Sequence, residues 1–222
     1  MLFLLLLLVT IAASGGAFRP TTKGELQQAV AQAASGEWDS SPMGQWDVSL
    51  ITDMRELFDP TMACGSPCAT FDPPDLSGWD VSKVTTMYAM FYQASSFSGE
   101  GLAGWDVSKV TTMELMFAGA SSFSGEGLAG WDVSRVTNMR SMFEGASSFV
   151  ESDLAGWDVS QVTTMYMMFS GASSFSGEGL AGWDVSQVTN MQQMFSGACS
   201  VSSSLLPEGA PLPTRGGCSI CP

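Results

Sequence analysis

The chain has 222 residues, of which 45% are hydrophobic and 14% are charged, and its formal net charge is −14. A surface this acidic repels nucleic acids and anionic membranes, so we expect neither as a partner. Histidine is absent from the sequence, which removes the commonest general base and the commonest zinc ligand. With no G-x-S-x-G or P-loop motif either, we expect no catalysis and no cofactor.

An apolar run that includes five consecutive leucines opens the sequence. Its length is typical of the hydrophobic region of a secretory signal peptide and is short for a membrane span. Gly15 and Ala17 suit a cleavage site just before Phe18. We therefore assign residues 1–17 as a signal peptide, predict a secreted or cell-surface location, and expect no membrane span after signal removal. An uncleaved anchor is the alternative, because no basic residue precedes the leucines.

Residues 18–38 form the next predicted unit, an N-terminal capping region. Thr22 and Glu25 have the spacing of a capping box. Apolar residues then recur at helical spacing, at Leu26, Ala29, Val30 and Ala33. We predict an amphipathic helix over about residues 22–34 that covers the first repeat, since the open end of a repeat stack exposes its core.

Internal repetition dominates residues 39–200. The sequence W-D-V-S occurs six times and begins at residues 46, 79, 105, 131, 157 and 183. The last five copies are 26 residues apart, whereas the first gap is 33 and carries seven extra residues. A fixed period in the twenties is typical of proteins whose repeats stack on one another. We number the repeats one to six by their tryptophans.

Each repeat mixes two apolar periods. Trp105 and Val107 are two residues apart, as on one face of a strand. A helical i, i+3, i+4, i+7 spacing follows, at Met113, Met116, Phe117 and Ala120. The predicted fold is an α/β solenoid of six coils of about 26 residues, with short parallel strands, short helical turns and a core of stacked Trp, Met and Phe side chains.

The recurring unit W-D-V-S-x-V-T-x-M-x-x-M-F-x-x-A-x-x-F resembles that of the BspA-like surface proteins, a leucine-rich-repeat-related family. Residues 18–30 resemble the family's entry helix, and the resemblance covers roughly residues 18–200. It implies a right-handed, leucine-rich-repeat-like solenoid with a parallel sheet along one side. It also implies a surface location and, as in some bacterial members, adhesion to other proteins. The resemblance brings no catalytic site with it.

Cysteines lie outside the common pattern of the repeats, at Cys64, Cys68, Cys199, Cys218 and Cys221. In a secreted protein they predict disulfides. The candidate pairs are Cys64 with Cys68, and Cys199 with either Cys218 or Cys221, which leaves one cysteine over. The C-x-x-C spacing at residue 218 is also half of a zinc site, but further ligands would have to come from elsewhere. We predict that residues 201–222 form an extended tail.

Two sets of variable residues are candidates for binding an extracellular protein. The residue after D-V-S is basic in three consecutive repeats, at Lys83, Lys109 and Arg135. The position after V-T-x-M holds residue types that anchor interfaces, at Tyr88, Arg140 and Tyr166. The competing interpretation is a solvated face under no functional demand.

The repeated aspartates support two interpretations. They stand at Asp47, Asp80, Asp106, Asp132, Asp158 and Asp184. Each can accept backbone N–H bonds in an Asx-turn, or the column can bind calcium through its oxygens. The leading functional hypothesis is a protein-binding or adhesion module. The alternatives are a structural matrix protein, stabilised by calcium through this column, and recognition of a regular lattice by the threonines that follow each V.

Overall fold

A computed structural model describes residues 18–62, 64–150 and 153–211. Two α-helices lie in these ranges, α1 (Lys23–Ala34) and α2 (Pro67–Thr70). Short 3₁₀ helices accompany them at Met43–Gln45, Leu102–Gly104, Asp153–Gly156, Leu180–Gly182 and Ser203–Leu205. Within these ranges no helix has the length and apolar character needed to cross a membrane. The predicted signal peptide, residues 1–17, lies outside the described residues.

The predicted α/β solenoid of parallel strands and helical turns is wrong. In the described ranges, neighbouring repeats are joined by isolated parallel bridges of one residue each and not by strands of a sheet. The bridges are Asp53 to Thr86, Thr86 to Thr112, Thr112 to Asn138, Asn138 to Thr164, and Thr164 to Asn190. The helical turns predicted after each bridge are also absent, because residues 114–119 form hydrogen-bonded turns.

The physical reason is that alternate backbone amides after each bridge have different partners. Odd-numbered amides of the third repeat donate to carbonyls of the fourth at N–O distances of 2.7–3.0 Å: Met113 to Asn138, Leu115 to Arg140, Phe117 to Met142 and Gly119 to Glu144. Even-numbered amides donate three residues back within the repeat: Met116 to Met113, Ala118 to Leu115 and Ala120 to Phe117. The result is a chain of tight turns, bonded crosswise to the next repeat, which we call the turn ladder.

Left-handed backbone conformations keep the turn ladder from becoming a helix. Leu115 has φ of 60° and Gly119 has φ of 76°. At the position of Leu115, every repeat has a non-glycine residue in this conformation, with φ of 51–60°. These residues are Glu56, Ala89, Leu115, Ser141, Met167 and Gln193. Such a residue ends an α-helix, and for an L-residue it costs roughly 1–2 kcal/mol. The hydrogen bonds to the next repeat offset that cost.

The recurring Trp, Met and Phe side chains stack repeat upon repeat, and their predicted burial is confirmed except at Phe71 and Met191, which are partly buried. The six tryptophans are only 1–5% exposed. The rings of Trp79 and Trp105 lie parallel with centroids 6.3 Å apart, and those of Phe117 and Phe143 do so at 5.7 Å. From the second repeat onward, each of these indoles also donates to a carbonyl of the preceding repeat, as where Trp131 Nε1 donates to the Leu102 carbonyl at 3.0 Å. The indole therefore contributes both buried area and a fixed register.

Helix α1 occupies the predicted segment and has the predicted cap. Thr22 Oγ1 accepts the Glu25 amide at 3.2 Å. The Glu25 carboxylate accepts from the amide of Thr21 at 2.7 Å, which lowers the pKa of that carboxyl. Leu26 and Val30 are fully buried in the same core as the first repeat. The helix therefore packs against the N-terminal end of the stack.

The disulfide predicted between Cys64 and Cys68 is present, within the seven-residue insertion of the first repeat. Both cysteines are buried. Cys199 is disulfide-bonded as well. Its predicted partners, Cys218 and Cys221, lie outside the described residues.

The left-handed positions predict opposite effects for two glycines that both have room for a methyl group. Gly145 has φ of 69°, and a Cβ there would meet nothing closer than 3.9 Å, whereas Gly130 has no positive φ and no neighbour within 4 Å. We expect Gly145→Ala to lower the free energy of unfolding by about 1 kcal/mol. The control Gly130→Ala should leave it unchanged or raise it by about 0.5 kcal/mol. Urea unfolding measures both, and equal effects would contradict the assigned backbone.

Candidate binding groove

A column of variable side chains runs along the turn ladder, two residues after each bridge. Its members in repeats two to six are Tyr88, Glu114, Arg140, Tyr166 and Gln192. The bridged residue fixes the backbone of each one. Asn138 Oδ1 accepts the Arg140 amide at 2.9 Å, and Asn190 Oδ1 accepts the Gln192 amide at 3.0 Å. The column is therefore presented by rigid turns and not by a loose loop.

Between these side chains lies a groove of about 340 Å³ that is built from four adjacent repeats. Its lining residues are Glu114, Asn138, Arg140, Thr164, Tyr166 and Asn190. All of them are column members or bridged residues. The groove therefore follows directly from the stacking of repeats in register.

A chain of side-chain contacts crosses the groove. The guanidinium carbon of Arg140 lies 5.2 Å from the centroid of the Tyr166 ring, and Arg140 Nη1 lies 3.9 Å from Glu114 Oε1. Asn138 Nδ2 donates to Glu114 Oε2 at 2.8 Å. The Arg140 side chain is 54% exposed and that of Glu114 is 22% exposed. An exposed cation–π contact contributes about 0.5–1 kcal/mol, so the pair is held in place yet keeps guanidinium donors open to a ligand.

The predicted binding residues are only partly brought together. Arg140 and Tyr166 are in contact inside the groove, whereas Tyr88 stands in the same column but does not line it. Burial raises the pKa of Tyr88, and the carboxylates of Glu114 and Glu56 raise it further. The phenol therefore stays protonated at neutral pH.

The predicted basic residues Lys83, Lys109 and Arg135 are exposed but lie outside the groove. Lys83 Nζ donates to the Ser49 carbonyl at 2.9 Å. Hydrogen bonds from Ser82 and Ser108 lower the pKa values of Asp80 and Asp106, and the nearby charges of Lys83 and Lys109 lower them further. Negative charge therefore lies near two of the three basic residues.

The aspartate column forms Asx-turns, as the first of its two interpretations predicts. In all six repeats Asp Oδ1 accepts the amide of the serine two residues later, at 3.0–3.2 Å. Hydrogen bonds from the Ser108 hydroxyl and amide, aided by Lys109, lower the pKa of Asp106. In the described residues no three acidic or cysteine side chains are grouped so as to hold a metal ion.

Sequence reasoning did not single out Glu114, Asn138, Thr164 or Asn190 as groove residues. A signal for the bridged positions exists in the variable x of V-T-x-M, which is Thr or Asn, and in the equivalent I-T-D-M of the first repeat, where it is Asp. These are the side chains that accept a backbone amide two residues ahead. The threonines one residue before the bridged positions join neighbouring repeats through their hydroxyl groups. For example, Thr137 Oγ1 donates to the Thr111 carbonyl at 3.2 Å.

The six repeats share a pattern of buried apolar residues beneath a column of variable side chains. The family DUF285, described as Mycoplasma protein of unknown function, matches residues 25–126, 65–175 and 124–206. These matches together span residues 25–206, and the chain belongs to this family. Neither the curated proteins nor the solved structures contain a significant match to the chain.

The Asx-turns predict a loss of stability in acid. The carboxyl pKa values of Asp106, Asp158 and Asp184 are lower in the folded chain than in the unfolded chain. The stabilisation that these carboxylates give the folded state is therefore complete above the unfolded pKa of about 3.9. It is lost as the pH falls through the lower pKa values of the folded state. The triple variant Asp106→Asn, Asp158→Asn, Asp184→Asn keeps the acceptor for each serine amide but cannot titrate there. We expect its melting temperature to fall less steeply between pH 7 and pH 2 than that of the unmodified protein.

The control for this measurement is Glu178→Gln, since the Glu178 side chain is exposed and accepts no hydrogen bond from the described residues. Its pH profile should follow that of the unmodified protein. Parallel profiles for the triple variant and the control would contradict a stabilising role for the charged aspartates.

Proposed function

We propose that the chain is an extracellular, non-catalytic protein-binding module that binds its partner through the groove around Arg140 and Tyr166. The observation that carries the proposal is the contact between these two side chains above a groove built from four repeats. Arginine and tyrosine are enriched among the residues that dominate binding energy at protein interfaces. Both stand where the repeats differ from one another, whereas the constant apolar residues of the same repeats are buried.

Rigidity supports a binding role for this surface. The column residues are held by side-chain caps at Asn138 and Asn190 and by the turn ladder beneath them. A preorganised surface loses little conformational entropy when a partner docks. The ligand therefore meets Arg140 and Tyr166 already in their paired arrangement.

The extracellular part of the proposal has separate support. The N-terminal apolar run has the length of a signal peptide. The Cys64–Cys68 disulfide and the bonded Cys199 fit an oxidising compartment. The repeat unit resembles that of the BspA-like surface proteins, for which adhesion is known in some bacterial members, and this suggests adhesion as the class of activity.

Binding to a panel of immobilised extracellular proteins, measured by surface plasmon resonance, tests the proposal. We expect the double variant Arg140→Ala, Tyr166→Ala to weaken binding by about tenfold or more, since it removes both groove anchors. The matched control Glu126→Ala, Glu178→Ala changes two exposed side chains that do not line the groove and should bind normally. Equal affinity of the double variant and the control would refute the groove as the binding site.

The basic stripe is tested in the same assay with Lys83→Glu, Lys109→Glu, Arg135→Glu. Its matched control is Gln161→Glu, Gln187→Glu, which changes the equivalent exposed positions of the fifth and sixth repeats. We expect a smaller loss than for the groove variant, because the three basic side chains are exposed and exposed charge pairs contribute little binding energy. A larger loss would move the binding surface to the stripe. A folded, unmodified protein that binds no member of the panel would favour the structural matrix alternative.

A further inference from the structure

Two arginines stand at the same position of their repeats, two residues after the bridged residue. They are Arg55 in the first repeat and Arg140 in the fourth. In the first repeat the bridged residue is Asp53, whose Oδ1 accepts the Arg55 amide at 2.9 Å. The same carboxylate binds the Arg55 side chain, with Nε 3.0 Å from both oxygens and Nη2 2.7 Å from Oδ2. The first repeat therefore shows how an arginine at this position binds a carboxylate.

The fourth repeat keeps the arginine but has an amide in place of the carboxylate. Asn138 Oδ1 accepts the Arg140 amide at 2.9 Å, whereas Asn138 Nδ2 donates to Glu114 Oε2. The Arg140 side chain donates no hydrogen bond to any described residue, because its ion pair with Glu114 spans 3.9 Å and its other contact is the face of the Tyr166 ring. The guanidinium donors that Arg55 uses on Asp53 are thus exposed in Arg140.

The neighbouring side chains of the groove add further donors. Asn190 Oδ1 and Thr164 Oγ1 already accept the amides of Gln192 and Tyr166, at 3.0 and 3.4 Å. What these two side chains still offer is the Asn190 Nδ2 group and the Thr164 hydroxyl hydrogen, which donate to no residue in the described ranges. Both side chains line the groove together with Arg140. A groove whose unused groups are donors favours a ligand that supplies acceptors.

Charge decides which kind of acceptor fits. A carboxylate can accept two parallel hydrogen bonds from one guanidinium, and such charge-assisted pairs are the strong ones. A polyanion is disfavoured, because the chain carries a net charge of −14 and Arg140 is the only cation among the residues that line the groove. An isolated carboxylate on an otherwise uncharged or basic surface satisfies both conditions.

We propose that the groove binds a single carboxylate of the partner protein, with the Arg140 guanidinium as the main donor and Thr164 and Asn190 donating beside it. This inference rests on the proposed function and specifies the chemistry that the partner must present. An Asp or Glu side chain and a chain terminus both carry this group, and peptide probes separate these two sources.

An NMR titration of the unmodified protein tests the proposal, with the Arg140 Nε–H and Tyr166 amide signals as the readout. The probes are acetyl-Gly-Glu-Gly-amide, the isosteric acetyl-Gly-Gln-Gly-amide, and acetyl-Gly-Gln-Gly with a free terminal carboxylate, each added up to about 10 mM. We expect the Glu peptide to bind at least about tenfold more tightly than the neutral peptide. Tighter binding of the third probe than of the Glu peptide would support the carboxylate and assign it to a chain terminus.

Asn138→Asp provides an internal competitor. It restores the arrangement of Asp53 and Arg55 beside Arg140, keeps an acceptor for the Arg140 amide, and should weaken binding of the Glu peptide at least about tenfold. The matched control Thr86→Asp adds the same charge at a bridged position that does not line the groove and should change the affinity less than about twofold. Arg140→Gln, at an exposed side chain, should lose binding as Asn138→Asp does, without a change at the bridged residue.

Equal binding of the Glu peptide and the two Gln peptides would overturn the proposal, as would full affinity of Arg140→Gln for the Glu peptide. Tighter binding of inorganic sulfate than of the Glu peptide would also overturn it, because anionic charge alone would then suffice. The proposed function has a separate test. If Arg140→Ala, Tyr166→Ala abolishes binding to a panel protein while the peptides bind equally, the groove remains the binding site and only the carboxylate is wrong.

Discussion

The division of backbone amides between two partners determines most of this structure. Every second amide of the turn ladder bonds within its own repeat and the others bond to the next repeat. Each repeat therefore completes its main-chain hydrogen bonding only when its successor is in place. An amide left unpaired in a buried environment costs about 1–3 kcal/mol, so the ladder imposes register at every step. The stacked indoles and phenylalanines then fill the space that this register defines.

The burial pattern was predictable from the sequence, but the backbone was not. Trp105, Met113 and Phe117 recur at a fixed period and are buried, as any stack of repeats would require. The helical spacing from Met113 to Ala120 is real, yet the segment folds as chained turns because Leu115 adopts a left-handed conformation. Leucine carries no local signal for that conformation, in contrast to glycine. Hydrogen bonds between repeats decide it, and these are not encoded in any single segment.

The candidate groove was predictable in part for a similar reason. Variation between repeats identified Arg140 and Tyr166, because positions free of the core are free to differ. Glu114 became a groove residue only once stacking placed it beside Arg140. The basic stripe shows the opposite case, since Asp80 and Asp106 stand three residues before Lys83 and Lys109 in the sequence itself. Distances across repeats, which a linear pattern does not contain, decided which residues line the groove.

The seven-residue insertion around the Cys64–Cys68 disulfide has a consequence for how such proteins diverge. It enters the first repeat after Phe58, beyond the last amide that bonds to the second repeat, and the tryptophans on either side still stack at 6.2 Å. Extra chain added at that point leaves in place the tryptophan stacking and the first three hydrogen bonds of the turn ladder, from the amides of Met54, Glu56 and Phe58. Because those contacts are interchangeable, whole units of 26 residues can also be gained or lost by recombination without redesigning the junction. Changes in the number of repeats and in the length of the insertion thus require the fewest compensating substitutions at the contacts between repeats.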